Sequence, residues 1–197
     1  TLWMYRIDEG ERGEKAVRFN NRGVAYWSAG TGNTADDRIY LITPGYQLVA
    51  LNARTGQPAA DFGKSGLVDL WPGLERPVKL REIGSTSPAM VVKGVVIVGA
   101  ALLNGGAPES KPNAPGFVQA FDARTGKHLW TFHTIAQPGD LGSETWEGDS
   151  AKYTGNTAVW APMTADEDLG YVYLPVEAPT GDYYGGERHV YNLFGNS

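Results

Sequence analysis

The sequence predicts an all-β fold of short strands and tight turns repeated as blades, and three observations predict it. Residues 50–57 (ALNARTGQ) and 120–127 (AFDARTGK) share Ala, Ala, Arg, Thr and Gly at identical offsets, 70 positions apart. Each copy follows a strand-like run, Arg38–Ile42 for the first and Val95–Gly99 for the second, and a third such run, Gly170–Leu174, lies further on. The composition agrees: 26 glycines in 197 residues with 6 Trp and 10 Tyr suit turns and pleated surfaces, and no long stretch carries a 3.6-residue apolar period.

The repeated motif reads as a strand end followed by a turn. Asn52 or Asp122 opens the turn by bonding its side chain to backbone amides just ahead, and Gly56 or Gly126 supplies a positive φ. Trp130 then starts the next strand. Thr1-Leu2-Trp3 looks like the tail of an earlier copy, so Trp3 and Trp130 both read as structural. Period-2 strands, tight turns and a repeat of several tens of residues suggest a β-propeller with four strands per blade. Simple blades of about 40–50 residues would give roughly four, and the observed spacing about three. A ring of so few blades would leave open edges. The stretch 1–197 is therefore expected to be part of one larger propeller domain, with any leader peptide upstream of Thr1. A strand is expected over 91–98. The long stretches 60–84 and 131–158 are expected to be ordered, functional loops because they are rich in aromatics as well as Gly and Pro.

Several function classes fall away. A net charge of −5 argues against tracking nucleic-acid phosphates. The absence of cysteine excludes disulfides, thiolate metal sites and thiol nucleophiles. No apolar run approaches the roughly 18–20 residues of a membrane-spanning helix. His128, His133 and His189 lack metal-ligand spacing, and Gly105-Gly106 and Gly185-Gly186 match no phosphate loop. Asp166-Glu167-Asp168 reads as a solvated acidic turn. Glu144, Glu147 and Asp149 form no convincing pair for glycoside hydrolysis.

Asp122-Ala123-Arg124-Thr125-Gly126-Lys127 with Leu129-Trp130 resembles the tryptophan-docking motif of the quinoprotein dehydrogenases, eight-bladed propellers that use pyrroloquinoline quinone (PQQ) and usually calcium. Asn21-Arg22-Gly23-Val24-Ala25-Tyr26-Trp27 resembles that family's cofactor-contacting segment. Thr145-Trp146-Glu147-Gly148-Asp149, then Trp160, then Tyr171–Leu174 follow the family's order. The resemblance implies about three to four blades of an eight-bladed ring. It also implies a periplasmic enzyme that oxidises sugar, polyol or alcohol hydroxyls by hydride transfer to PQQ, with electrons passing to a quinone or cytochrome.

It further implies roles for particular residues. Arg22 would pair PQQ carboxylates, for which a planar guanidinium is suited. Trp160 would form the floor beneath the quinone plane. Ser85 or Thr86 would bond a carboxylate, although Ser85-Thr86-Ser87-Pro88 also reads as a strand-entry turn. Thr157 stands one residue from the family's polar threonine. Asn104 and Glu177 occupy or adjoin the metal-ligand positions, but Asn104 brings no charge and the second ligand position itself is Ala178. The vicinal cysteines of many alcohol dehydrogenases would fall near Ala16-Val17, and their lack resembles the sugar- and polyol-oxidising branch. No residue of this stretch matches the family's catalytic aspartate. A non-catalytic propeller scaffold of the same repeats is the competing reading, and it has no use for NRGVAYW or Trp160.

Overall fold

Alternation of side chains decides how the strands stack. The computed structural model describes residues 1–30, 32, 34–103, 108–181, 184–186 and 188–197. Strands β1 (Ala25–Trp27), β2 (Arg38–Ile42), β3 (Gln47–Asn52) and β4 (Leu67–Asp69) form an antiparallel meander in that order. The register sets Tyr40 opposite both Ala25 and Ala50. Tyr40 and Ile42 of β2 and Leu48 and Ala50 of β3 thus share one face, and all four are buried.

A second antiparallel sheet follows, interrupted by a short ribbon. The strands of this region are β5 (Ile83–Gly84), β6 (Met90–Val92), β7 (Val95–Val98), β8 (Ala101–Leu102), β9 (Val118–Asp122) and β10 (His128–Phe132). The four-stranded order is β6-β7-β9-β10, while β5 pairs with β8 alone. The strand expected over 91–98 is therefore two strands. Lys93 and Gly94 both take positive φ (46° and 75°), the signature of a tight hairpin turn. Last comes the hairpin β11 (Thr164–Asp166) and β12 (Tyr171–Tyr173).

The middle sheet is covered on both faces, as period-2 alternation allows. Val96, Val98 and Phe121 join Tyr40, Leu48 and Phe62 in one core. Ile97, Val118 and Ala120, one step out of phase, join Val159, Met163 and Val176 in a second. Consecutive sheets thus stack face to face like blades. Helical content is confined to α1 (Glu11–Lys15), α2 (Ser150–Tyr153) and single 3₁₀ turns among the described residues. The long stretches are ordered, as expected: Leu70 and Leu74 are buried in the first, and Ile135, Ala136 and Trp146 pack with Phe117 in the second.

Candidate functional site

Three segments distant in sequence meet at the edge of the second sheet. Asn21 starts a small turn, its Oδ1 accepting from the Gly23 amide at 2.9 Å. The Arg22 amide donates to the Thr86 carbonyl at 3.0 Å, and Nη1 of the same arginine reaches that carbonyl at 3.2 Å. Thr86 Oγ1 donates to the Trp160 carbonyl at 2.8 Å, and Ser87 Oγ donates to it at 2.6 Å. The Arg22 guanidinium carbon lies 5.7 Å from the centre of the Trp160 ring. Thr86 is thus the hub: its carbonyl holds Arg22 and its hydroxyl holds Trp160.

Trp160 owes its place to the loop before it. Asn156 N donates to Ala114 O, and Gly116 N donates to Asn156 O, both at 2.8 Å. Val159 then lies directly on Gly99, where a Cβ would come 2.2 Å from the Val159 carbonyl oxygen. Only a glycine at the end of β7 admits so close a backbone. Two consecutive non-glycine residues, Asn156 (φ 62°) and Thr157 (φ 54°), are left-handed. For a β-branched threonine this costs on the order of 1–3 kcal/mol and persists because surrounding bonds over-determine it.

The expected site residues divide clearly. Arg22, Thr86 and Trp160 come together, and Arg22 is exposed while Trp160 leaves 42% of its surface open. Ser85 is adjacent, but its hydroxyl donates to Ser87 O at 2.8 Å. Thr157 is fully buried, its hydroxyl donating to Asn156 O at 2.5 Å and sharing a hydrogen bond with Thr134 Oγ1 at 3.0 Å. Glu177 lies beside the same loop, with Oε1 accepting from the Ala158 amide at 3.3 Å and its own amide donating to Ala158 O at 3.0 Å. Asn104 lies outside the described residues. Ser87 was not singled out from sequence, although it stands in the same Ser85-Thr86-Ser87 run. Its hydroxyl is the shorter of the two bonds on the Trp160 carbonyl.

The chemistry of this group is binding rather than proton transfer. A guanidinium, hydroxyls and an indole offer hydrogen-bond donors and an aromatic surface. A part-exposed indole with a guanidinium over its ring offers an aromatic surface and paired donors, the chemistry that recognises a flat, anionic aromatic molecule. The residues present therefore fit PQQ. They do not fit a calcium ion to the same degree. Among the described residues no three His, Cys, Asp or Glu side chains gather as ligands, and Glu177 is committed to the Ala158 amide. His133 sits elsewhere, between Asp140 (2.7 Å) and Glu75 (3.3 Å).

Fold and geometry together define a bladed β protein in which Arg22, Thr86 and Trp160 meet at one place. Over residues 1–197 the chain matches the family described as PQQ, glucose/ethanol/alcohol dehydrogenase, β-propeller domain. It is 33% identical over 192 residues to the glycerol dehydrogenase large subunit of Gluconobacter oxydans, covering 95% of this chain and 24% of that protein. It is 35% identical over 167 residues to the quinohemoprotein alcohol dehydrogenase ADH IIB of Pseudomonas putida, covering 78% of this chain and 20% of that one. Among solved structures, quinohemoprotein alcohol dehydrogenase ADHIIG of Pseudomonas putida HK5 superposes with a TM-score of 0.62 at 27% identity, over 86% of this chain and 22% of its own. The chain belongs to the PQQ-dependent dehydrogenase β-propeller family, and it spans about a quarter of the length of the relatives it matches.

Proposed function

We propose that this chain is the PQQ-holding part of a periplasmic dehydrogenase that oxidises the hydroxyl of a sugar, polyol or alcohol and passes electrons to a quinone or cytochrome. The convergence of Arg22, Thr86 and Trp160 carries this reading. Arg22 would pair a carboxylate of PQQ, and Trp160 would support its plane. Thr86 and Ser87 would fix both by holding the Trp160 carbonyl and the Arg22 backbone. PQQ, when bound, supplies the hydride-accepting carbonyl. The chain's own share is to orient that ring system, satisfy its negative charge and keep water from one face.

The test is titration of the full chain with PQQ, followed by absorbance and tryptophan quenching. Arg22→Ala is expected to weaken binding about ten- to hundredfold, the value of a charge-assisted hydrogen bond. Trp160→Ala is expected to weaken it about tenfold through lost stacking. If both variants bind PQQ as the unaltered chain does, the reading fails and the scaffold reading takes its place.

A further inference from the structure

The segment that carries Arg22 touches the second sheet's ribbon at two points. One is the Arg22–Thr86 backbone bond at 3.0 Å. The other is Gly84, buried in β5, whose bare Cα is roofed by Phe19 and Val17. A Cβ at Gly84 would stand 2.8 Å from Phe19 Cδ2, 3.1 Å from Phe19 Cε2 and 3.5 Å from Val17 Cγ1. Gly84 does not have a positive φ, so its backbone conformation makes no demand for glycine. What forbids a side chain there is the overlying phenyl ring. Phe19 is three residues before Arg22, and Gly84 is two before Thr86. Short stretches of chain therefore join the two contacts on both sides.

We propose that Gly84 and Phe19 are positioning residues: the notch at Gly84 seats the Phe19 ring, and that seat aims the Arg22 guanidinium over Trp160. The bearing of this contact on PQQ rests on the proposed function. The contact itself does not.

Two readouts on the full chain test it. Trypsin cleaves backbone that opens locally, and the Arg22 amide is bonded to Thr86, so the cleavage rate at Arg22–Gly23, read beside that at Arg18–Phe19, reports the loop without any cofactor. PQQ affinity reports its aim. Gly84→Ala is expected to raise cleavage at Arg22 about tenfold and to weaken PQQ binding about tenfold, because overpacking is relieved by opening the loop. The decisive comparison is the sign of the Phe19→Ala effect. In the unaltered chain it removes packing and speeds cleavage. In the Gly84→Ala background it makes room and slows cleavage. Where Gly84→Ala alone does not fold, recovery of folded protein by Phe19→Ala is the same result. The proposal is overturned if Gly84→Ala leaves cleavage unchanged, if Phe19→Ala acts in the same direction in both backgrounds, or if the double variant is no better folded than the single. Failure of the unaltered chain to bind PQQ would overturn the proposed function, and the trypsin comparison would still decide the contact.

Discussion

The turns at 52–57 and 122–127 are locally the same object in two different settings. In each, one side-chain oxygen accepts three hydrogen bonds. Asn52 Oδ1 takes them from Arg54 N (3.1 Å), Thr55 N (3.0 Å) and Thr55 Oγ1 (3.1 Å). Asp122 Oδ1 takes them from Arg124 N (3.1 Å), Thr125 N (2.7 Å) and Thr125 Oγ1 (2.7 Å). Gly56 and Gly126 both have φ 70°. The next alanine carbonyl, however, meets different donors. Ala53 O accepts from the Trp3 indole at 3.1 Å, whereas Ala123 O accepts from the Tyr40 hydroxyl at 2.5 Å and from Arg38 at 3.3 Å. A Cβ on Gly56 would come 2.5 Å from the Trp3 ring, while one on Gly126 would come 2.9 Å from the Gly63 amide nitrogen. The comparison teaches that the motif encodes a turn with an outward carbonyl and a flat glycine surface. What docks there is chosen by the neighbouring blade.

The largest break in this comparison is expected at Arg38. Its side chain is only 5% exposed, it pairs with Asp61 through both carboxylate oxygens (2.8 and 2.6 Å), and it also donates to the Arg124 carbonyl. Arg38→Ala removes the partner of Asp61 and the donor to the Arg124 carbonyl, while Tyr40 still serves Ala123, so a loss of about 3 kcal/mol is expected in urea unfolding. Next come the two glycines. Gly126→Ala is expected to cost about 3 kcal/mol, because positive φ and a rigid backbone neighbour oppose the methyl together. Gly56→Ala is expected to cost about 2 kcal/mol, since the Trp3 side chain can yield. Equal losses at the two sites would erase the distinction between them.

The smallest effect is a pH dependence that only the second turn can have. Burial works to raise the Asp122 pKa, but the Thr125 hydroxyl, the Thr125 and Arg124 amides and the Arg124 charge outweigh it and hold it below its ordinary value. A carboxylate with a depressed folded pKa stabilises the fold above its unfolded pKa of about 3.9, and that contribution is lost as pH falls through the folded value. Asp122→Asn copies the first turn's chemistry. Its unfolding midpoint should fall less than that of the unaltered chain between about pH 5 and pH 2.5. Parallel pH profiles would show that Asp122 contributes no such linkage.

The structure bears out the strands at 38–42 and 95–98, both turns and the absence of long helices among the described residues, because each follows from local alternation and from side-chain-to-backbone bonds spanning three residues. The single strand expected over 91–98 was misread, since an apolar run of valines hides the Lys93-Gly94 hairpin that the pair of positive φ values reveals. Arg22 and Trp160 were singled out by their surrounding motifs, and the structure brings the two side chains together. Ser87 was not, because nothing in a Ser-Thr-Ser run says which hydroxyl meets a carbonyl 73 residues away.

By itself the sequence determined an all-β chain and two equivalent turns. These rest on contacts between near neighbours, which residue type alone specifies. Tertiary structure decided that Thr86 links Arg22 to Trp160 and that Thr157 spends its hydroxyl on Thr134 and Asn156. It also decided that Gly84 and Gly99 are notches for Phe19 and Val159. Those choices depend on how two stacked sheets bring distant backbones within hydrogen-bonding and van der Waals reach. That distance is fixed only when the cores between the sheets close.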